Sequence, residues 1–173
     1  MGKLVLAFLA AAAAAASGVA GQAGALPAHR QAQPRGVADP RAFVEQIYAA
    51  YIRGHGEHSP PEPAYAFSDR LRALFRAYHA YEARNNGELV GALDFDWWIN
   101  AQDWSLSHVV VTEAASGPAT RNILARFRNG DTQEATRFLF VRVGNRWYLD
   151  DAVNGTGHGE GGWTLSTLLR QRD

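Results

Sequence analysis

Within LDFDWWINAQDW, residues 93–104, three carboxylates and three indoles fall in twelve positions. Asp94, Asp96 and Asp103 are of the type that holds a cation or moves a proton. Trp97, Trp98 and Trp104 are of the type that stacks on a sugar or another ring, with Gln102 beside them as a polar contact. A calcium loop of the helix–loop–helix kind needs oxygen donors at alternate positions and glycine at the sixth. Counted from Asp94, Trp98 and Ile99 stand fifth and sixth, which excludes that loop. The structural alternative is a corner in which Asp94 or Asp96 caps a turn through residues 97–101 and the aromatic rings plug a core.

Asp150 and Asp151 end a strand-like segment, and either facing Asp94, Asp96 or Asp103 would force two carboxylates together and raise one pKa. The competing expectation is pairing with an arginine such as Arg126, Arg142 or Arg146. His55, Glu57 and His58 offer metal-ligand chemistry, as do His158 and Glu160. The first two histidines are three apart in a segment broken by glycine and proline, not four apart on a helix, so no metal site is expected. GTGHGEGG, residues 155–162, lacks the lysine–hydroxyl pair of a phosphate loop and the setting of a dinucleotide fold, which leaves it a connector. Asn154-Gly155-Thr156 matches a glycosylation sequon and has meaning only in a host that uses it. No cysteine and no GxSxG is present, so covalent hydrolysis has no nucleophile.

The elements that must position these residues follow from periodicity. Asp39-Pro40 supplies an N-cap and a first-turn proline, and Phe43, Val44, Ile47, Tyr48, Tyr51 and Ile52 recur at helical spacing until Gly54. Ser68 caps a second helix whose inner stripe is Leu71, Leu74, Phe75, Tyr78 and Tyr81, ending at Asn85-Asn86-Gly87. The period then changes to extended, giving strands over 106–114, 119–128, 134–143 and 146–153. Asn129-Gly130 and Gly144-Asn145 join the last three as an antiparallel meander. Ile123, Ala125 and Phe127 mark a buried face of the second strand, and RFLFVRV is apolar on both faces and expected to be central. Residues 163–170 read as a short C-terminal helix. The fold class is α+β, with helices covering one face of a four-stranded antiparallel sheet.

The N-terminal MGKLVLAFLAAAAAAASGVAGQAGA carries one lysine, an apolar run over 4–16 and small residues offering exits after Ala20 or Ala25, the pattern of a secretory signal peptide. The run is short of the roughly 20 residues a membrane-spanning helix needs, so no membrane insertion is expected after cleavage. Residues 26–38 have the proline- and glutamine-rich composition of a flexible leader, and 39–173 have the size of one domain. Without a cysteine there is neither a disulfide nor a lipidation site. Lys3 is the only lysine, so a chain lacking residues 1–25 carries 16 arginines against 17 acidic residues, a balance that does not attract nucleic acid.

Three stretches, FVEQIYAAYI at 43–52, LDFDWWINAQD at 93–103 and RWYLDDAV at 146–153, resemble an exported bacterial family known as domain of unknown function 3828. The resemblance implies a cystatin-like, nuclear-transport-factor-2-like cone, in which a curved sheet wraps a pocket closed by helices. It implies no catalytic residue and no cofactor. The expected function is a non-catalytic module of the periplasm or exterior that binds a small ligand or a protein partner, with Trp97, Trp98, Gln102 and Trp104 as ligand contacts. One alternative is a cone-fold lyase or isomerase using Asp94, Asp96, Asp103 or Asp151 as general base. The other is an immunity-type protein that neutralises a toxin.

Overall fold

Asp39 opens α1 (Pro40–Arg53) as its composition demands, its Oδ1 accepting hydrogen bonds from the amides of Arg41 at 2.9 Å and Ala42 at 3.1 Å. The structure is a computed structural model, described for residues 35–85, 92–155 and 162–172, which lie in one compact unit, Gln33–Asp173. The expected signal peptide, Asn86-Gly87 and His158-Gly159-Glu160 lie outside the described residues. Phe43, Val44, Ile47, Tyr48 and Tyr51 form the buried stripe of α1, while Ile52 stays exposed. The helix stops at Gly54, where a Cβ would stand 2.6 Å from the carbonyl oxygen of His58.

A 3-10 turn at Ala64–Ala66 leads to α2 (Asp69–Arg84), capped by Ser68, whose Oγ accepts the amide of Leu71 at 3.0 Å. Leu71, Phe75 and Tyr78 are buried on its inner face. The strands follow as β1 (Leu106–Glu113), β2 (Thr120–Asn129), β3 (Thr132–Val143), β4 (Arg146–Asn154) and β5 (Trp163–Thr164). They form one antiparallel sheet in chain order, with β3 at its centre. α3 (Leu165–Leu168) closes the described chain.

The fold class stands as α+β, with two corrections. The sheet has five strands, because Trp163–Thr164 pairs with Val153 and Asn154 as a strand before the chain turns into α3. A β-branched, aromatic start favours extension where residues 163–170 read as one helix. The β2–β3 turn is centred one residue later than expected, on Gly130-Asp131, since Asn129 still pairs with Thr132. Gly130 and Gly144 take the positive φ, 55° and 61°, that these tight turns require.

Packing also reaches back past Asp39. Val37 is buried and exchanges both backbone hydrogen bonds with Trp147, at 2.8 and 2.9 Å. Ile123, Ala125 and Phe127 do face the core, meeting Phe138 and Phe140 of β3, Leu149 and Ala152 of β4, and the apolar stripes of the helices. α1 packs across β1 and β2, α2 and α3 against β4. The sheet carries two irregularities, one between Ser107 and Val110, where His108 has φ 51°, and one at Asp150 opposite Leu139–Phe140. Bulges of this kind bend a strand and increase its twist.

Candidate functional site

The corner between α2 and β1 begins at Asp96. Its backbone bridges Ala101, and the intervening turn depends on Asn100 in the left-handed region, φ 54°, which asparagine tolerates better than most residues. Asp96 Oδ1 accepts the amide of Trp98 at 3.0 Å, so Asp96 is the residue that caps the turn. Its Oδ2 accepts the hydroxyl of Tyr51 at 2.5 Å and that of Ser59 at 3.2 Å. One carboxylate thus ties α1, the loop after it and the corner together.

The tryptophans take the core role. Trp97 and Trp98 are 5% and 4% exposed and stack at 4.2 Å between ring centroids, with Trp98 against Phe138 and Trp97 against Phe67 and Phe75. Neighbouring rings pack on both indoles, so what they present to the outside is limited to the parts that line one small cleft. Trp104 is half-buried, its Nε1 directed at the carbonyl of Tyr51, 3.4 Å away. Gln102 is exposed and donates to the carbonyl of Asp94 at 3.1 Å.

The remaining carboxylates do not gather. Asp94 and Asp103 are exposed. Asp150 and Asp151 turn away from the corner to Arg70 of α2, which contacts them at 2.9 and 3.2 Å. Asp150 also accepts the Ser68 hydroxyl at 2.6 Å, and Asp151 Oδ1 accepts the amide of Ser166 at 2.9 Å, anchoring α3. The partner is therefore Arg70 rather than Arg126, Arg142 or Arg146. The hydrogen bond Arg70 donates to Asp150 is the main cause that raises the Arg70 pKa, with burial acting against it and Asp151 adding to the rise.

A residue outside the sequence-based candidates completes the site. Glu62, from the proline-rich segment after α1, joins Tyr51, Pro60, Asp96, Trp97 and Trp98 around a cleft of about 210 Å³. Glu62 is exposed as a residue, but its carboxyl lines the cleft, and desolvation there pushes its pKa up, the Asp96 charge adding to this while the His79 charge and the nearby Trp97 act the other way. Tyr51 is also pushed up, by burial first and then by the Asp96 charge and hydrogen bond. A second cleft of about 250 Å³ is also lined by Tyr51, together with His55, Gly56 and Trp104. His55 and His58 are exposed, and no group of three or more His, Cys, Asp or Glu side chains that could hold a metal occurs among the described residues.

No protein-family model matches the chain, and neither a curated protein nor a solved structure matches it. No helix among the described residues is long and apolar enough to cross a membrane.

Proposed function

We propose that the protein is a non-catalytic binding module of the bacterial periplasm or exterior, akin to the exported family of domain of unknown function 3828 and its cone-like fold. The observation that carries the non-catalytic part is the state of Asp96. A general base needs a lone pair directed at the proton it removes. Three of the roughly four acceptor sites of Asp96 already take Trp98, Tyr51 and Ser59, which commits it to holding the corner, and Asp150 and Asp151 are engaged by Arg70 and by chain anchors. Export is supported by the apolar run over 4–16 with its small-residue exits. The cone is supported by two bulges that curve the sheet on which the helices pack.

One observation favours the enzyme alternative, with a different acid–base group. Glu62, whose pKa is raised, shares a cleft with the Tyr51–Asp96 pair, and shifted carboxyls in clefts are a recurrent mark of proton transfer. Incubating the purified protein with a mixture of small organic metabolites, followed by mass spectrometry of the bound and free fractions, separates the two. The binding reading expects compounds retained unaltered. A compound consumed by the wild type and spared by Glu62→Gln or Asp96→Asn overturns it.

A further inference from the structure

At the N-terminal end of α1 a cleft of about 420 Å³ opens between the helix, residues 36–39, Tyr65 and Arg146. Sites for small organic molecules occupy roughly 300–1,000 Å³ and combine apolar walls with a few placed polar groups. This cleft has both. Phe43 and Tyr65 meet edge to face at 6.4 Å, and Tyr65 is one of four large apolar side chains exposed among the described residues. Gln46 adds an amide.

The charge is supplied by Arg146. Arg35, Arg41, Arg70, Arg72, Arg121 and Arg128 each face a carboxylate, whereas Arg146 has no acidic partner among the described residues. Its Nη2 donates to the carbonyl of Gly36 at 2.6 Å, and its Nε is buried without an acceptor. Nη1 has no protein acceptor among the described residues. The one acid on the cleft wall, Asp39, is exposed and uses Oδ1 to cap α1, where the helix dipole offsets part of its charge. A groove of about 430 Å³ between α1 and β1 offers no such cation, because its Arg41 and Glu45 pair with each other at 2.9 Å.

We infer that the cleft at Arg146 binds a small organic monocarboxylate with an aromatic or apolar body. The carboxylate takes Nη1, the terminal nitrogen of Arg146 without a protein acceptor among the described residues, in a charge-assisted contact stronger than a neutral one, and the body lies against Phe43 and Tyr65. Gln46 is available to a polar substituent. The inference rests on the binding reading above and gives it a ligand class.

Calorimetric titration of the purified protein with 3-phenylpropionate tests it, with 3-phenylpropan-1-ol and acetate as the uncharged and bodiless controls. Saturable binding of 3-phenylpropionate is expected, with each control at least about tenfold weaker. Arg146→Gln is expected to weaken binding about tenfold or more, Arg146→Lys less, and Tyr65→Ala severalfold. Because Arg146 also holds Gly36, circular dichroism of each variant accompanies the titration. If Arg146→Gln fails to fold, Arg146→Lys and the exposed Tyr65→Ala decide. No saturable heat with the wild type, an alcohol that binds as well as the acid, or folded variants that bind like the wild type each overturn the assignment. Those results leave the non-catalytic reading intact, since that reading fails only if the probe or another compound is recovered chemically altered.

Discussion

The hydroxyl of Tyr51, at the end of α1, donates to Asp96 Oδ2 at 2.5 Å across 45 residues of chain. With the Tyr48 hydroxyl, which donates to the Trp98 carbonyl at 2.6 Å, it is one of two contacts through which the first helix fixes the turn that precedes β1. Hydrogen bonds to charged groups contribute about 1.5–3 kcal/mol, so Tyr51→Phe is expected to lower unfolding stability by about that amount. Urea denaturation measures it. A variant as stable as the wild type would show that Trp98 and Ser59 alone suffice to hold Asp96.

The same contact has an alkaline signature. Tyr51, Tyr48 and Tyr78 are all pushed up, each chiefly by burial, among six tyrosines in the chain. In the unfolded chain they ionise near about 10. Their neutral form is favoured only in the folded protein, so the stability they contribute is complete below that pH and is lost as pH rises above it. Tyrosinate absorbance is expected to show part of the tyrosines titrating together with alkaline unfolding rather than before it. Six tyrosines ionising while circular dichroism stays native would contradict this.

Glu62 gives the opposite end of the pH scale. Its carboxyl is raised by burial and by Asp96, so its unfolded form ionises first, near about 4.3. The folded protein then holds the extra proton, and stability declines as pH rises from that value through the folded pKa. Glu62→Gln removes this decline, and its stability relative to the wild type is expected to increase from pH 4 to pH 7. A variant that loses ground over that interval would mean that the ionised Glu62 stabilises the fold.

Caps and periodicity made most of the architecture legible. Asp39-Pro40, Ser68 and the 3.6-residue stripes placed both helices, and the alternation in residues 123–127 placed the inner face of β2. The site was harder to read because its contacts are long-range. Nothing local links Tyr51 to Asp96, or Arg70 to Asp150 some 80 residues later. Glu62 escaped notice because PPEP has no periodicity to give its side chain a direction. Its position between prolines, which restrict the backbone, was the available signal. The tryptophans of the corner look alike in the sequence; β3 and α2 decide that Trp97 and Trp98 are core, by presenting Phe138 and Phe75 to them.

Asp151 is half-buried and joins Arg70 to the amide of Ser166 at the start of α3. Asp151→Ala removes that helix anchor and one acid of the Arg70 pair. A loss of about 1–2 kcal/mol is expected, the range of a removed cap. Amide hydrogen exchange should localise the loosening to residues 165–169. Uniform destabilisation with unchanged protection there would remove the anchoring role.

Trp98 and Gln102 sit four residues apart and are expected to respond in opposite ways. Trp98 is buried against Phe138 and Trp97, and its carbonyl accepts the Tyr48 hydroxyl at 2.6 Å. Trp98→Ala leaves a cavity and is expected to cost about 3–5 kcal/mol. Gln102 is exposed, with one bond to a backbone carbonyl, so Gln102→Ala should stay within about 0.5 kcal/mol of the wild type. Thermal unfolding of the two variants checks the difference. Acrylamide quenching of a variant with Trp104 and Trp163 replaced by Phe adds an independent measure, because rings only 5% and 4% exposed should remain largely unquenched until the protein unfolds. A tolerated Trp98→Ala with quenchable native fluorescence would return Trp97 and Trp98 to the role of an open ring platform.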